Sequence, residues 1–156
     1  MNHDLNEATK QYDPRMHTAE HILNQTMVRM FNCGRAFSAH IEKKKSKCDY
    51  RLQRDLTDEE VATIEQTVNA IIRTDLPVTE DIISRSDAQI RFNLEKLPEE
   101  AGESIRIIRV GDYDACPCIG VHISHTSEIG TFKIISREFS ENRLRIRFKV
   151  FDSDQK

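Results

Sequence analysis

The sequence predicts an α+β protein with a single domain, residues 1–156, in which a largely antiparallel sheet and two main amphipathic helices form a cleft. Two observations predict this class. Helix-like and strand-like segments alternate irregularly, and no dinucleotide-binding or phosphate-loop motif indicates a parallel sheet. A chain of 156 residues is long enough for one domain with its own core. No repeat, low-complexity tract or linker divides it.

Composition limits the class of protein and its compartment. Hydrophobic residues make up 38% of the chain and charged residues 31%, and no apolar run reaches the length of a membrane span. The polar start, Met1–Asp4, is not typical of a secretory signal, so we expect a cytoplasmic protein without a membrane partner. Its four cysteines are then expected to be reduced and available for metal ligation. The net charge of −3 argues against indiscriminate nucleic-acid binding but allows a local basic patch.

Residues 15–31 are predicted to form the first helix. Asp13 is a suitable N-cap, Pro14 suits the first helical position, and Gly34 follows the end. Two histidines lie beside an apolar stripe. The stripe consists of Met16, Ala19, Leu23, Met27 and Met30.

A capping box predicts the start of the second helix. Thr57 and Glu60 have the required spacing, and apolar residues follow at helical intervals. These are Val61, Ile64, Val68, Ile71 and Ile72.

The remaining segments favour strands. Residues 36–42 and 48–53 are predicted to form a hairpin around a lysine-rich turn. Further along, we expect an extended segment at 76–84, a short helix at 86–96, a strand at 105–110, a loop at 111–119, and strands at 131–136 and 143–151.

Two ligand pairs are the most informative motif. His17 and His21 are four residues apart, and on a helix such neighbours share one face. Cys118 and His122 have the same spacing in a segment that contains Pro and Gly. Three imidazoles and a thiolate are the ligand set that zinc prefers, so we predict one Zn²⁺ site built from both pairs. Cys116 and His125 are spare ligand candidates, whereas His3, His40, Cys33 and Cys48 are expected at the surface or in the core.

The ligand count leaves the role of the metal open. Four protein ligands are typical of a structural site, whereas a catalytic site keeps one position for water or substrate. The run from His17 to His21 also matches the inverted zinc-peptidase pattern, with Glu20 as general base. The second pair has no place in that mechanism, which makes a peptidase the weaker alternative.

Longer segments resemble a known family. "RMHTAEHIL" at 15–23 and "CIGVHISHTSEIGTFKI" at 118–134 resemble the two signature segments of the editing domain shared by threonyl- and alanyl-tRNA synthetases (the second additional domain). The free-standing, AlaX-type alanyl-tRNA editing proteins are the best match. "KCDYRL", "TDEEVATIEQTVNAII" and "LPV" occur in the family's order, so the resemblance covers nearly the whole chain.

The resemblance implies a site and a reaction. It implies that His17, His21, Cys118 and His122 are the zinc-binding and catalytic residues. Ser38 matches a hydroxyl residue that selects the amino acid, and Thr126 matches a pocket residue. Relatives carry Gly-Gly-Thr where this chain has Ile119, Gly120 and Val121, and many carry an acidic residue at Cys116, so substrate identity is open at these positions.

The implied activity is zinc-dependent hydrolysis, in trans, of the ester in a mischarged tRNA, with Ser-tRNA(Ala) as the expected substrate. Such editing compensates for poor discrimination between small side chains. A non-catalytic, zinc-stabilised RNA-binding module is the main alternative, and no ATP requirement is expected. The acceptor end of tRNA is expected to contact two basic clusters. These are Lys43, Lys44, Lys45 and Lys47 in one turn, and Arg143, Arg145, Arg147 and Lys149 along one strand.

Overall fold

The computed structural model describes residues 13–92, 94 and 102–152. Within these ranges it contains three α-helices, one short 3₁₀ helix and seven strands, all paired antiparallel. The predicted α+β class is therefore confirmed. The helices are α1 (Pro14–Phe31), α2 (Asp58–Arg73), α3 (Arg85–Arg91) and the 3₁₀ helix Thr126–Ile129.

The strands form two sheets. One has the order β1-β2-β7-β6 and the other the order β3-β4-β5. Their bounds are β1 (Ser38–His40), β2 (Ser46–Arg51), β3 (Val78–Ser84), β4 (Ser104–Val110), β5 (Asp114–Pro117), β6 (Thr131–Ser140) and β7 (Arg143–Phe151).

Helix α1 is largely buried between Met16 and Met27. Asp13 caps it, accepting hydrogen bonds from the N–H groups of Arg15 and Met16. It ends at Asn32, which adopts the left-handed conformation with φ of 52°. Ten of its residues are buried, including both histidines of the first motif. The helix therefore buries several polar side chains together with its apolar ones.

Helix α2 has the predicted capping box. The Thr57 hydroxyl accepts from the N–H of Glu60, and the Glu60 carboxylate accepts from the N–H of Thr57. One side of the helix is buried through Ile64, Val68 and Ile72. Both long helices pack on the four-stranded sheet, whose buried apolar residues on β2 and β7 are Cys48, Tyr50, Leu144, Ile146 and Phe148.

Some predicted boundaries were wrong. The predicted loop at 111–119 contains β5, because residues 114–117 continue the ladder of β4 after a turn at Gly111, whose φ is 49°. The predicted helix at 86–96 ends at Arg91, since Phe92 is extended; the rest of that prediction falls mainly outside the described residues. β6 is longer than predicted and reaches Ser140. None of the described helices is both long and apolar enough to cross a membrane.

Candidate metal centre

Helix α1 supplies the first pair of side chains. His17 and His21 are buried, at 4% and 3% exposure, and lie one turn apart. Their rings meet edge to face, with centroids 5.1 Å apart. The regular helix thus presents both imidazoles to the same side, as the spacing predicts.

The second pair lies in the segment that follows β5. Arg106 of β4 holds this segment, donating to the carbonyl oxygens of Cys118 at 3.2 Å and Gly120 at 2.6 Å. The N–H of Cys118 donates to the Arg106 carbonyl at 3.1 Å. Glu80 of β3 pairs with the same guanidinium. The three-stranded sheet therefore fixes the backbone that carries Cys118 and His122.

The structure brings these four predicted residues together. One potential ligand atom from each of His17, His21, Cys118 and His122 lies within 4.8 Å of the others. Cys118 Sγ is 3.3 Å from His17 Nε2, and the ring of His122 stacks on that of His17 at 4.1 Å. Two of these residues lie on α1 and two in the segment after β5.

Outward contacts of the rings fix which nitrogen faces the cluster. His17 Nδ1 donates to the Val121 carbonyl at 3.0 Å, and His122 Nδ1 shares a hydrogen bond of 2.9 Å with the Thr18 hydroxyl. His21 Nδ1 lies 3.6 Å from Asp114 Oδ2. Metal-binding histidines engage their second nitrogen as His17 and His122 do here, while the nitrogen of His21 has only the nearby charge of Asp114.

A buried nitrogen supports a cation at the centre. Among the buried side-chain atoms that the structure describes, His122 Nε2 and His21 Nδ1 both lack a hydrogen-bond partner. Such a buried polar atom is costly unless it is bound. The set of soft thiolate and imidazole donors therefore fits a metal ion of the kind that prefers sulfur and nitrogen.

The electrostatics of the cluster favour a thiolate at Cys118 and a neutral imidazole at His122, whereas His21 would have to release a proton to a metal ion. Burial would raise the pKa of Cys118, but the neighbouring imidazoles of His122, His17 and His21 lower this pKa to about 2. Burial also lowers the pKa of His122 to about 3. Burial opposes protonation of His21, yet Asp114 and Cys118 raise the pKa of His21 to about 9. A thiolate among imidazoles is a suitable cation site.

Asp114 is a buried carboxylate that the sequence analysis missed. Its side chain is fully buried and accepts from Arg35 Nη1 at 2.7 Å, Arg35 Nη2 at 3.2 Å and Gln25 Nε2 at 2.9 Å. Burial opposes its ionisation, but His21 and Arg35 hold its pKa well below the usual range. A carboxylate four residues before a cysteine is not a general sequence motif, so nothing in the sequence indicated Asp114. Thr18 was missed because it, too, belongs to no general motif.

The predicted amino-acid-selecting residues lie in three different environments. Ile119 and Val121, beside the cluster, are 40% and 39% exposed, while Gly120 is buried. Ser38 is exposed on the edge strand β1, paired with Asp49. Thr126 is fully buried, and its hydroxyl donates to the end of α2 and accepts from the N–H of Leu76. Among the described contacts, neither hydroxyl reaches the four clustered side chains.

The spare candidates lie apart from the cluster. Burial raises the pKa of Cys116 to about 12, and its thiol donates to the Pro117 carbonyl at 3.4 Å. His125 and His40 are exposed. Cys48 is buried and Cys33 half-buried, which agrees with their predicted core or surface positions; His3 is outside the described residues.

The predicted basic residues form two distinct surfaces. Residues 43–45 are exposed lysines between β1 and β2, and Lys47 is half-buried within β2. Residues 143, 145 and 147 are arginines on the face of β7 that points away from the buried core. Acidic neighbours partly neutralise them, since Asp49 accepts twice from Arg145, at 2.8 and 2.9 Å, and Glu138 lies 3.7 Å from Arg147.

Known proteins are similar in sequence to this chain. The family described as "Threonyl and Alanyl tRNA synthetase second additional domain" matches residues 105–147. The alanine–tRNA ligase of Methanopyrus kandleri is 32% identical over 139 residues, which is 86% of this chain and 15% of the ligase. That of Halorubrum lacusprofundi is 34% identical over 125 residues, which is 78% of this chain and 14% of the ligase.

A shorter relative shows a similar level of identity. The alanyl-tRNA editing protein AlaX-L of Pyrococcus horikoshii is 30% identical over 136 residues, covering 86% of this chain and 33% of that protein. The chain therefore spans about a seventh of the ligases and a third of the editing protein. The resemblance predicted from the two signature segments is confirmed: the chain carries sequence of the threonyl and alanyl tRNA synthetase second additional domain and is similar, over most of its length, to alanine–tRNA ligases and to AlaX-L.

Proposed function

We propose that this protein is a zinc-dependent hydrolase that removes a wrongly attached amino acid from tRNA, with Ser-tRNA(Ala) as substrate. The observation that carries the proposal is the convergence of three imidazoles and one thiolate in a chain similar to an alanyl-tRNA editing protein. The bond to be broken is the ester between the amino acid and the terminal ribose.

The four clustered side chains would hold the zinc ion. His17, His21 and His122 would bind through Nε2, because their Nδ1 atoms face Val121, Asp114 and Thr18. When bound, zinc supplies Lewis-acid polarisation of a carbonyl or a lower pKa of bound water.

The chain's own groups then orient the substrate and limit access of water. The N–H of Gly120 donates to the Cys118 sulfur at 3.4 Å, which helps to hold the thiolate in place. The exposed side chains of Ile119 and Val121, adjacent in sequence to Cys118 and His122, would give the site an apolar rim. Relatives with Gly-Gly-Thr at these positions would have a smaller and more polar rim. The misattached amino acid is therefore proposed to be small, with its side chain near these residues.

The tRNA is proposed to contact the exposed lysines at 43–45, together with Lys47, Arg143, Arg145 and Arg147. These contacts would be made to phosphates, which neutralise basic side chains without reading sequence. The paired arginines of β7 would contribute less than the lysines, since Asp49 and Glu138 already compensate part of their charge.

A deacylation panel tests this proposal. Purified zinc-loaded protein is incubated with Ser-tRNA(Ala), Gly-tRNA(Ala) and Ala-tRNA(Ala), with and without a chelator. We expect release of serine, sparing of Ala-tRNA(Ala), and loss of activity on chelation and in Cys118→Ala. If the metal-loaded protein releases none of these amino acids, the proposal is wrong.

The ligand count favours a second candidate, a non-catalytic RNA-binding module. Four protein donors would close the coordination shell, as in structural zinc sites. In that case chelation unfolds the protein and the folded form binds RNA without turnover. Circular dichroism during chelation, measured beside the deacylation panel, separates the two candidates.

A further inference from the structure

Glu20 is a carboxylate beside the cluster that the proposed zinc set does not use. It lies on α1 between the two histidines, and its Oε1 is 3.8 Å from His17 Nε2. Its side chain is mostly buried, with 14% exposed. It is not one of the four residues whose donor atoms lie within 4.8 Å of one another. It therefore borders the metal centre without completing it.

Asn24 holds this carboxylate in one orientation. Asn24 Oδ1 accepts from the Tyr50 hydroxyl at 2.7 Å and from the N–H of Ala36 at 3.2 Å. Both partners are donors, so the other end of the amide must be the NH₂ group. That group donates to Glu20 Oε2 at 3.1 Å. Oε1 is consequently the oxygen turned toward His17.

Among the described residues, no lysine or arginine forms an ion pair with Glu20 within 4.0 Å. In the part of the chain that the structure describes, the ion-pair partner of Glu20 within 4.0 Å is His17, and an imidazole that binds metal is neutral. The nearby Arg35 is already bound by both oxygens of Asp114. A neutral amide and a metal-binding imidazole leave a carboxylate that can attract a cation.

An aminoacyl ester brings such a cation. Whatever its side chain, the substrate carries an α-ammonium group one carbon away from the carbonyl that is attacked. A divalent ion with one thiolate and three neutral imidazoles is net positive and would repel that ammonium. We propose that Glu20 binds the α-ammonium group of the aminoacyl ester, and so places the ester carbonyl at the metal centre. This inference rests on the proposed function.

Paired ligands that differ only in this charge test the inference. The first is the amide analogue of the acceptor end, the serylamide of 3′-amino-3′-deoxyadenosine, and the second is the same compound with its amine acetylated. Both are titrated by calorimetry into zinc-loaded wild-type protein and into the Glu20→Gln, Glu20→Asp and Glu59→Gln variants. Glu59 is an exposed carboxylate in the first turn of α2, so its variant has the same change in net charge far from the site.

We expect wild-type protein and Glu59→Gln to bind the free amine about tenfold more tightly than the acetylated form, because charge-assisted hydrogen bonds are strong. Glu20→Gln should abolish this preference by weakening only the free amine, and Glu20→Asp should keep part of it. An unchanged preference in Glu20→Gln overturns the inference. So does an equal loss for both ligands, or unchanged binding with lost turnover, which would indicate a general base. Absence of binding in the wild type also overturns it.

The proposed function and the inference about Glu20 are overturned by different results. If the wild type releases no amino acid from tRNA, the editing proposal is wrong whatever the calorimetry gives. If the wild type edits and Glu20→Gln keeps its preference for the free amine, the inference about Glu20 alone is wrong.

Discussion

Replacing Asp114 by Asn should weaken zinc binding while leaving every proposed zinc ligand in place. The substitution keeps the size of the side chain and removes its charge. Asp114 faces His21 Nδ1 at 3.6 Å and is held on its other side by Arg35 and Gln25. The Asn side chain would lose the charge that attracts the His21 imidazole. Its NH₂ group would also replace an oxygen that accepts a hydrogen bond from Arg35, which is itself a donor.

The distance sets the size of the effect. Groups that orient a metal-binding histidine contribute about 10- to 100-fold to metal affinity. A separation of 3.6 Å is longer than an ordinary hydrogen bond, so the lower end applies. We expect about a tenfold higher zinc dissociation constant, which corresponds to about 1.4 kcal/mol. The free energy of unfolding should also fall by about 1–3 kcal/mol, because the half-buried Arg35 loses its charged partner.

Competition with a coloured chelator at pH 7 measures the zinc dissociation constant, and circular dichroism shows whether the variant is folded. Asp112→Asn is the matched control, since Asp112 is exposed and lies two residues earlier, in the turn that leads into β5. A folded Asp114→Asn protein whose zinc affinity stays within about twofold of wild type would refute the reasoning.

Three further substitutions separate metal affinity from stability. Thr18→Val should raise the zinc dissociation constant about tenfold in the same competition assay, because His122 loses the hydroxyl that orients its ring. Thr126→Val should lower the free energy of unfolding by about 1–3 kcal/mol in urea and leave zinc affinity and deacylation unchanged; a change in amino-acid preference would instead place Thr126 in substrate selection. Asp49→Asn should cost about 1.5–3 kcal/mol at pH 7. The hydrogen bond from Arg145 lowers the pKa of Asp49 in the folded state, so this stabilisation is present above a pH of about 4 and disappears as the pH falls through the lowered pKa. Urea unfolding of both proteins between pH 7 and pH 3 should therefore show converging stabilities, and a constant gap would contradict the assignment.

Local signals predicted the helices better than the strands. The caps of α1 and α2 are set by residues that are neighbours in sequence, Asp13 with Pro14 and Thr57 with Glu60, and both helices begin where predicted. Strand β5 was missed because residues 114–117 contain Pro and two polar or small residues, and only pairing with β4 makes them a strand. The division into two sheets likewise depends on pairing between distant segments.

The candidate metal centre shows the same division between local and distant information. Residue types and spacing were enough to choose His17, His21, Cys118 and His122, because a ligand is defined by its own chemistry. Which nitrogen each ring offers depends on Val121, Asp114 and Thr18, which come close only after folding.

The position of Glu20 follows from the same logic. Its place between two histidines first indicated a peptidase base, since sequence shows only that it is near them. The structure adds that Asn24, fixed by Tyr50 and Ala36, holds one of its oxygens and leaves the other beside the metal centre. A base must receive a proton from water, whereas a recognition group needs only a held carboxylate with one oxygen free to accept from the substrate. The second requirement is the one that the contacts of Glu20 meet, and it applies to every aminoacyl ester. On this reasoning, discrimination between amino acids belongs to residues such as Ile119 and Val121 and not to Glu20.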